Sequence, residues 1–254
     1  MEKIEHIYLD IRGLRLHIAQ IGKGELAPGA GERFLGGPRR RSPPILDALA
    51  VPKAFMIGKD FGALPAYHFA LYHPDRVLGV VTSGIPFTPT GFNFASLPEG
   101  FYIKRWREPG RAEADFGRFD VKRVVRTIYI LFSRSEIPIA DEGQEILDLA
   151  DESTPLPAWF SEEDLDAYAA LYEKSGFKYP LQMPYRALSR IQLVADPKVE
   201  VPALLIMGEK DYCLKFPEME NYVRSGAVKQ FVPDLEITYI PKDLTLFRSN
   251  SPTR

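Results

Sequence analysis

The chain has 254 residues, of which 45% are hydrophobic, and its 32 Lys and Arg nearly balance its 34 Asp and Glu. This composition supports a buried core, and the balanced charge argues against a nucleic-acid-binding surface. Cys213 is the only cysteine, which excludes an internal disulfide and fits a reducing compartment. The first residues form no apolar signal region, and no stretch approaches the ~18 apolar residues of a membrane span. We therefore expect a cytoplasmic protein without nucleic-acid or membrane partners.

Two short strands are predicted at the beginning of the chain. Apolar residues alternate with polar ones over 7–9 and again over 14–21, with Gly13 between the two runs. This pattern predicts a β-hairpin at the edge of a sheet. The following segment, 22–44, is rich in Gly and Pro, which break every period. It predicts a long irregular loop, an unusual feature inside a compact domain.

A strand, a sharp turn and a helix are predicted around Asp60. The apolar run Ala54–Ile57 leads into Gly58-x-Asp60-x-Gly62, and a helical pattern follows from Ala63 to His73. The arrangement matches the nucleophile elbow G-x-S-x-G of α/β-hydrolases with Asp at the apex, and the glycines are predicted to prevent collisions between strand and helix. A carboxylate above a helix N-terminus could attack carbon and form an ester. Because Asp is also common at ordinary helix N-caps, the motif alone leaves both interpretations open.

The remaining elements predict a parallel sheet interrupted by helices. A β-branched run over 77–82 is typical of a buried parallel strand, and its position after the helix implies a right-handed crossover. Amphipathic helices are predicted over 121–133 and 161–175, and strands over 201–207 and 236–240. We therefore predict an α/β-hydrolase core with a mostly parallel, incomplete sheet, formed by residues 1–97 and 198–254, and an inserted helical cap formed by residues 98–197.

Six segments carry motifs in a recognisable order: Gly58–Gly62, His73–Arg76, Gly84–Phe87, Phe101–Gly110, Pro184–Leu188 and Met207–Asp211. Together they resemble the plant soluble epoxide hydrolases of the α/β-hydrolase superfamily. In that family an Asp opens the epoxide by attack on carbon, two cap tyrosines assist departure of the alkoxide, and a His oriented by a second acid activates water. The resemblance implies that Asp60 is the nucleophile, that Tyr102 and Tyr185 are the donors, that Asp211 is the orienting acid, and that the backbone N–H of Phe61 is an oxyanion donor. A phenol is protonated near neutral pH and can donate to the developing alkoxide.

The chain departs from that family in two places. It has four histidines, and none follows the last predicted strand, where Thr245 takes the expected position; Thr cannot act as a general base near neutral pH. The family's His-Gly-x-Pro loop and the elements after it have no counterpart in residues 22–44, which leaves Phe61 as the one oxyanion donor. Loss of one such donor typically costs ~10²–10³ in rate. We expect a shortened or alternatively spliced form that forms the ester, hydrolyses it poorly, and tends to self-associate through unpaired strand edges.

Two other functions stay open. A catalytically degenerate α/β-hydrolase could bind small apolar ligands under the cap. A haloalkane dehalogenase-like hydrolase would use the same nucleophile, but such enzymes usually place a Trp beside it, where this chain has Phe61. The expected ligand is a small apolar epoxide or a related molecule. No cofactor and no metal are implied, because Cys213 has no partners at zinc-ligand spacing and no phosphate-binding loop is present.

Overall fold

The first two strands form a separate antiparallel hairpin. The computed structural model describes residues 3–11, 13–22, 44–90, 94–186 and 196–241. Strand β1 (Glu5–Ile11) pairs with β2 (Leu14–Gln20), and Gly13 between them adopts a φ of +79° that suits glycine. The predicted hairpin is confirmed. Its predicted position at the edge of the larger sheet is wrong, because the described strands divide into a two-stranded and a four-stranded sheet.

The larger sheet has four parallel strands in the order β3-β4-β5-β6. These are β3 (Ala54–Lys59), β4 (Val77–Ser83), β5 (Ala203–Gly208) and β6 (Leu235–Ile240). Each lies where the apolar runs predicted a strand. β4 and β5 are adjacent in the sheet but far apart in sequence, so the chain leaves the sheet after β4 and returns to it at β5.

One face of this sheet is buried against α2 (Ala63–Tyr72), the helix that connects β3 to β4. Val80 and Leu205 on this face are almost fully buried. Tyr67 of α2 lies 2.7 Å from the hydroxyl of Thr82, and this hydrogen bond joins helix to sheet in the buried layer. The α2 helix is therefore held firmly below the turn that precedes it.

The opposite side of β3 carries apolar side chains that face outwards. Phe55 is 63% exposed and Ile57 is 80% exposed, whereas Met56 between them packs against the core. Among the described strands, β3 pairs only with β4. Proteins usually cover both an unpaired strand edge and an exposed apolar face.

The segment between β4 and β5 contains the two helices predicted over 121–133 and 161–175. It contains α3 (Tyr102–Arg107), α4 (Arg111–Phe116), α5 (Val121–Leu131), α6 (Glu162–Ser175), α7 (Lys178–Leu181) and a π-helical turn, Gln182–Arg186. The Ser161 hydroxyl accepts a hydrogen bond from the Asp164 N–H at 3.1 Å and starts α6, as its sequence indicated.

Two further short helices complete the core, α1 (Pro44–Ala48) before β3 and α8 (Met219–Arg224) between β5 and β6. Within the described ranges, no helix combines the length and the apolar character needed to cross a membrane.

Candidate active site

The turn after β3 places Asp60 in a strained backbone conformation. Lys59 is still extended, with φ −115° and ψ 140°, and Asp60 then has a φ of +52°. A 3₁₀ turn over Asp60–Gly62 leads directly into α2. The left-handed conformation costs a non-glycine residue roughly 1–2 kcal/mol, and such strain is concentrated at functional sites. The predicted strand, sharp turn and helix are confirmed, with the carboxylate at the apex.

The two glycines of the motif are not equivalent. A Cβ atom on Gly58 would overlap the backbone carbonyl of Gly62 and lie 2.8 Å from the Cα of Ala63. A Cβ on Gly62 would meet nothing within 4 Å, and its φ of −65° is open to any residue. The predicted collision is therefore confirmed at Gly58 and wrong at Gly62, because the helix turns away from the strand at that point.

The Asp60 carboxyl lies in a low-dielectric setting. Burial raises its pKa above the ordinary value, while a hydrogen bond from the Phe61 N–H and the nearby Lys59 charge oppose that rise. Phe61 borders the same two cavities as Asp60, and its role as an oxyanion donor stays a prediction. A desolvated carboxylate is a stronger nucleophile than one in bulk water, because fewer hydrogen bonds must be broken before it attacks.

The two tyrosines line the same cavity as Asp60. This cavity has a volume of about 190 Å³ and an apolar wall that includes Trp106. The rings of Tyr102 and Tyr185 meet edge to face, 6.2 Å between centroids, and Tyr185 also packs against Phe61 at 5.5 Å. Burial, neighbouring phenols and the Asp60 charge raise the pKa of Tyr102 well above its ordinary value, and burial and Asp60 do the same for Tyr185. Both phenols are therefore protonated near neutral pH.

The helix that follows the Glu-Pro-Gly motif, α4, joins the two tyrosine segments. After α3, which starts at Tyr102, Gly110 adopts a φ of +86° and starts α4. Glu113 on α4 then binds both terminal nitrogens of Arg186, at 2.6 and 2.7 Å, and these charge-assisted hydrogen bonds lower the pKa of Glu113 to about 2. Since Arg186 follows Tyr185 in the chain, this pair fixes the second tyrosine relative to the first.

Asp211 lies at the end of β5, next to the turn that follows β4. It is 5% exposed, and its Oδ1 accepts a hydrogen bond from the Cys213 N–H at 2.9 Å. Its Oδ2 lies beside Gly84, where a Cβ would make an ordinary contact with it at 3.5 Å and where the φ of +83° favours glycine. Burial, opposed by the Cys213 hydrogen bond and assisted by the Asp60 charge, raises the pKa of Asp211 to about 6.

Asp60 and Asp211 line a second, smaller cavity of about 30 Å³, which Phe61 and Tyr102 also border. This volume is enough for one or two water molecules. The carboxyl ends of adjacent parallel strands meet at one edge of a sheet. For that reason Asp60, which follows β3, and Asp211, which follows β5, face one space although they are distant in sequence.

None of the four histidines lines either of these two cavities. His6 and His17 form a hydrogen-bonded pair at 2.9 Å on the exposed hairpin. His68 bonds the Leu64 carbonyl on its own helix at 2.7 Å, and His73 ends that helix. Thr245, predicted to take the place of the family's histidine, lies outside the described residues.

Sequence reasoning missed Tyr212. Its hydroxyl lies 3.3 Å from that of Tyr102, it is 6% exposed, and it borders both cavities. The available signal was its position immediately after Asp211. Tyr129 and Tyr172, which also line the larger cavity, carried no signal beyond their residue type. Within the part of the chain that the structure describes, no group of three or more His, Cys, Asp or Glu side chains could hold a metal ion.

Known proteins similar to this chain are epoxide hydrolases. Epoxide hydrolase 3 of Siraitia grosvenorii is 29% identical over 97% of this chain and 94% of its own length. Epoxide hydrolase 2 of the same plant is 30% identical over 93% of this chain and 90% of its own length. No family model matches the chain.

Solved structures give the same result. A mutant of potato epoxide hydrolase superposes with a TM-score of 0.69 and 29% identity over 80% of this chain and 67% of that one. A mutant of Vigna radiata epoxide hydrolase superposes with a TM-score of 0.79 and 25% identity, over 96% of this chain and 93% of that one. The chain therefore belongs to the epoxide hydrolases of the α/β-hydrolase superfamily.

Proposed function

We propose that this chain opens a small apolar epoxide by attack of the Asp60 carboxylate on a ring carbon. One observation carries the proposal: Asp60, Tyr102 and Tyr185 border one largely apolar cavity of about 190 Å³. A cavity with an apolar wall and a few convergent polar groups is the usual form of a small-molecule site. The membership of the epoxide hydrolases supports the substrate class.

The first half of the reaction uses three groups that border the larger cavity. A carboxylate oxygen of Asp60 forms a bond to carbon as the C–O bond of the epoxide breaks, and the departing oxygen takes the proton of Tyr102 or Tyr185. The raised pKa values keep both phenols protonated until that moment. Attack requires ionised Asp60, so the rate of ester formation rises with pH as Asp60 loses its proton.

The second half lacks its usual base. Hydrolysis of the ester needs a group that removes a proton from water, and none of the chain's histidines borders the two cavities. Asp211, proposed as the acid that orients such a histidine, is hydrogen-bonded through Oδ1 to the Cys213 backbone. We infer that the ester at Asp60 forms and then persists, and that turnover to a diol is impaired.

We further propose that residues 98–197 act as a cap on a core made of residues 1–97 and 198–254, and that the core is a shortened form. The alignment with epoxide hydrolase 2 of Siraitia grosvenorii runs over 290 residues, more than the 254 of this chain. The relative therefore has internal residues without a counterpart here. The exposed apolar side of β3 is consistent with the loss of neighbouring elements.

Rapid-quench measurement of epoxide loss and diol formation tests the proposal. With an aryl epoxide in tenfold excess, we expect about one equivalent of epoxide to disappear per chain, followed by diol release that is at least ~10²-fold slower. Asp60→Asn, which cannot supply a carboxylate, is the matched control and should consume none. Sustained multiple turnover of wild type would contradict the impaired second half, and consumption by Asp60→Asn would contradict the nucleophile.

A second candidate function is binding without chemistry, favoured by the absence of a histidine from the two cavities. In that case the chain would hold apolar epoxides reversibly. Equilibrium dialysis with the same epoxide distinguishes the two, since reversible binding returns the intact epoxide and ester formation does not.

A further inference from the structure

We propose that Tyr212 is a positioning residue that acts through Tyr102, by donating a hydrogen bond to the Tyr102 oxygen while Tyr102 gives its own proton to the opening epoxide. This inference rests on the proposed function. The Tyr102 and Tyr212 hydroxyls lie 3.3 Å apart in a buried setting, and either can be the donor.

Proton transfer from Tyr102 to the substrate requires Tyr212 to be the donor in the hydrogen bond between the two phenols. A phenol has one proton to donate and can accept as well. When Tyr102 donates to the substrate oxygen, its own oxygen is free to accept from Tyr212. Tyr212 is held in place for this purpose, because it starts the 3₁₀ turn Tyr212–Lys215 that Asp211 caps.

A hydrogen bond from Tyr212 stabilises the transition state electrostatically. As the epoxide C–O bond breaks and the Tyr102 proton moves to the departing oxygen, negative charge develops on the Tyr102 oxygen. Tyr102 is 2% exposed and Tyr212 is 6% exposed, so bulk water cannot solvate that charge. A hydrogen bond from Tyr212 stabilises it without any proton leaving Tyr212, and a preorganised donor of this kind acts more strongly than in water.

Tyr185 occupies a different environment. It packs edge to face on Phe61, Tyr102 and Trp106. Among the described residues its hydroxyl makes no hydrogen bond to another phenol, although Tyr172 lies near enough to help raise its pKa. The two substrate-facing phenols are thus unequal, and Tyr102 supplies the larger share of proton donation.

A double-mutant cycle tests the inference, with the rate of ester formation at Asp60 as the readout. Tyr212→Phe removes one oxygen and keeps the ring. Loss of a hydrogen bond to a charged group predicts a rate about 10- to 100-fold lower. In a Tyr102→Phe background the same substitution should change the rate less than about twofold, because the group through which it acts is gone.

Tyr222→Phe is the matched control. The Tyr222 hydroxyl donates to the Phe87 carbonyl at 2.9 Å and borders neither cavity, so its loss should leave the rate unchanged. Thermal melts of all variants check that they fold. A second readout uses aryl epoxides whose departing alkoxides differ in basicity. Tyr212→Phe should make the rate depend more steeply on that basicity, which a purely structural role would not do.

Equal losses from Tyr212→Phe with and without Tyr102 would overturn the inference and leave the proposed function standing. A rate like that of Tyr222→Phe would do the same. Absence of any ester in the wild-type chain would overturn both.

Discussion

Replacement of Asp211 by Asn should stabilise the fold at neutral pH. Asp211 is buried, and its pKa rises from the ordinary 3.8 to about 6. Between these values the folded chain keeps a proton that the unfolded chain has released. Because the folded state then binds more protons, the free energy of unfolding falls as pH rises through this window. At ~1.36 kcal/mol per pKa unit, the loss amounts to about 3 kcal/mol and is complete above about pH 6.

Asn has nearly the same shape as Asp and carries no charge, and its side-chain oxygen can still accept from the Cys213 N–H. We therefore expect Asp211→Asn and wild type to have equal stability near pH 4. At pH 7 the variant should be more stable by up to ~3 kcal/mol. Urea unfolding from pH 4 to 7.5, followed by tryptophan fluorescence, measures this difference directly.

Asp164→Asn provides a control of opposite sign. Hydrogen bonds from the Ser161 backbone and side chain lower the pKa of Asp164, so the carboxylate stabilises the folded state above its ordinary pKa, and the variant should gain nothing at pH 7. An Asp211→Asn variant that is less stable than wild type at pH 7 would contradict the expected stabilisation. A stability difference that does not change with pH would refute it equally.

Three further predictions concern the elbow, the buried layer and the exposed strand. Gly58→Ala should lower the free energy of unfolding by ~1–3 kcal/mol or more, because its Cβ would overlap the Gly62 backbone. Gly62→Ala should change the free energy of unfolding by less than ~0.5 kcal/mol. Urea melts compare the two variants, and equal effects would contradict the difference between the two glycines. Tyr67→Phe should lower the free energy of unfolding by ~1–3 kcal/mol in the same assay, because the buried Thr82 hydroxyl loses its hydrogen-bond partner. An unchanged free energy of unfolding would show that the 2.7 Å hydrogen bond contributes nothing to stability. Wild type should self-associate with rising concentration in sedimentation velocity, and Ile57→Lys should reduce this; a wild-type chain that stays monomeric would argue against association through β3.

The elbow and the parallel strands could be predicted because their signals are local. Gly58, Asp60 and the apolar runs on either side specify a strand, a turn and a helix within some twenty residues. Strands of this type pair in parallel once a helix connects them. Asp211 could be predicted only through the resemblance of Met207–Asp211 to the family's motif, because an Asp in the turn after a strand is otherwise ordinary.

Contacts between residues far apart in the chain, and the angles at which elements pack, could not be predicted from the sequence. The hydrogen bond between Tyr212 and Tyr102 joins residues 110 positions apart, and no periodicity encodes it. The freedom at Gly62 depends on the angle at which α2 leaves the strand, which the motif does not specify. The hairpin's separation from the main sheet likewise depends on packing, because an alternating pattern fixes the faces of a strand and not its neighbours.

Bond formation between the Asp60 carboxylate and an epoxide carbon can be detected by mass spectrometry of the chain after incubation with an aryl epoxide. We predict an intact mass raised by that of one epoxide, a fragment that carries this mass at Asp60, and persistence of the adduct over hours. Asp60→Asn should remain unmodified. An unmodified wild-type chain, or an adduct located on any other residue, would contradict the account.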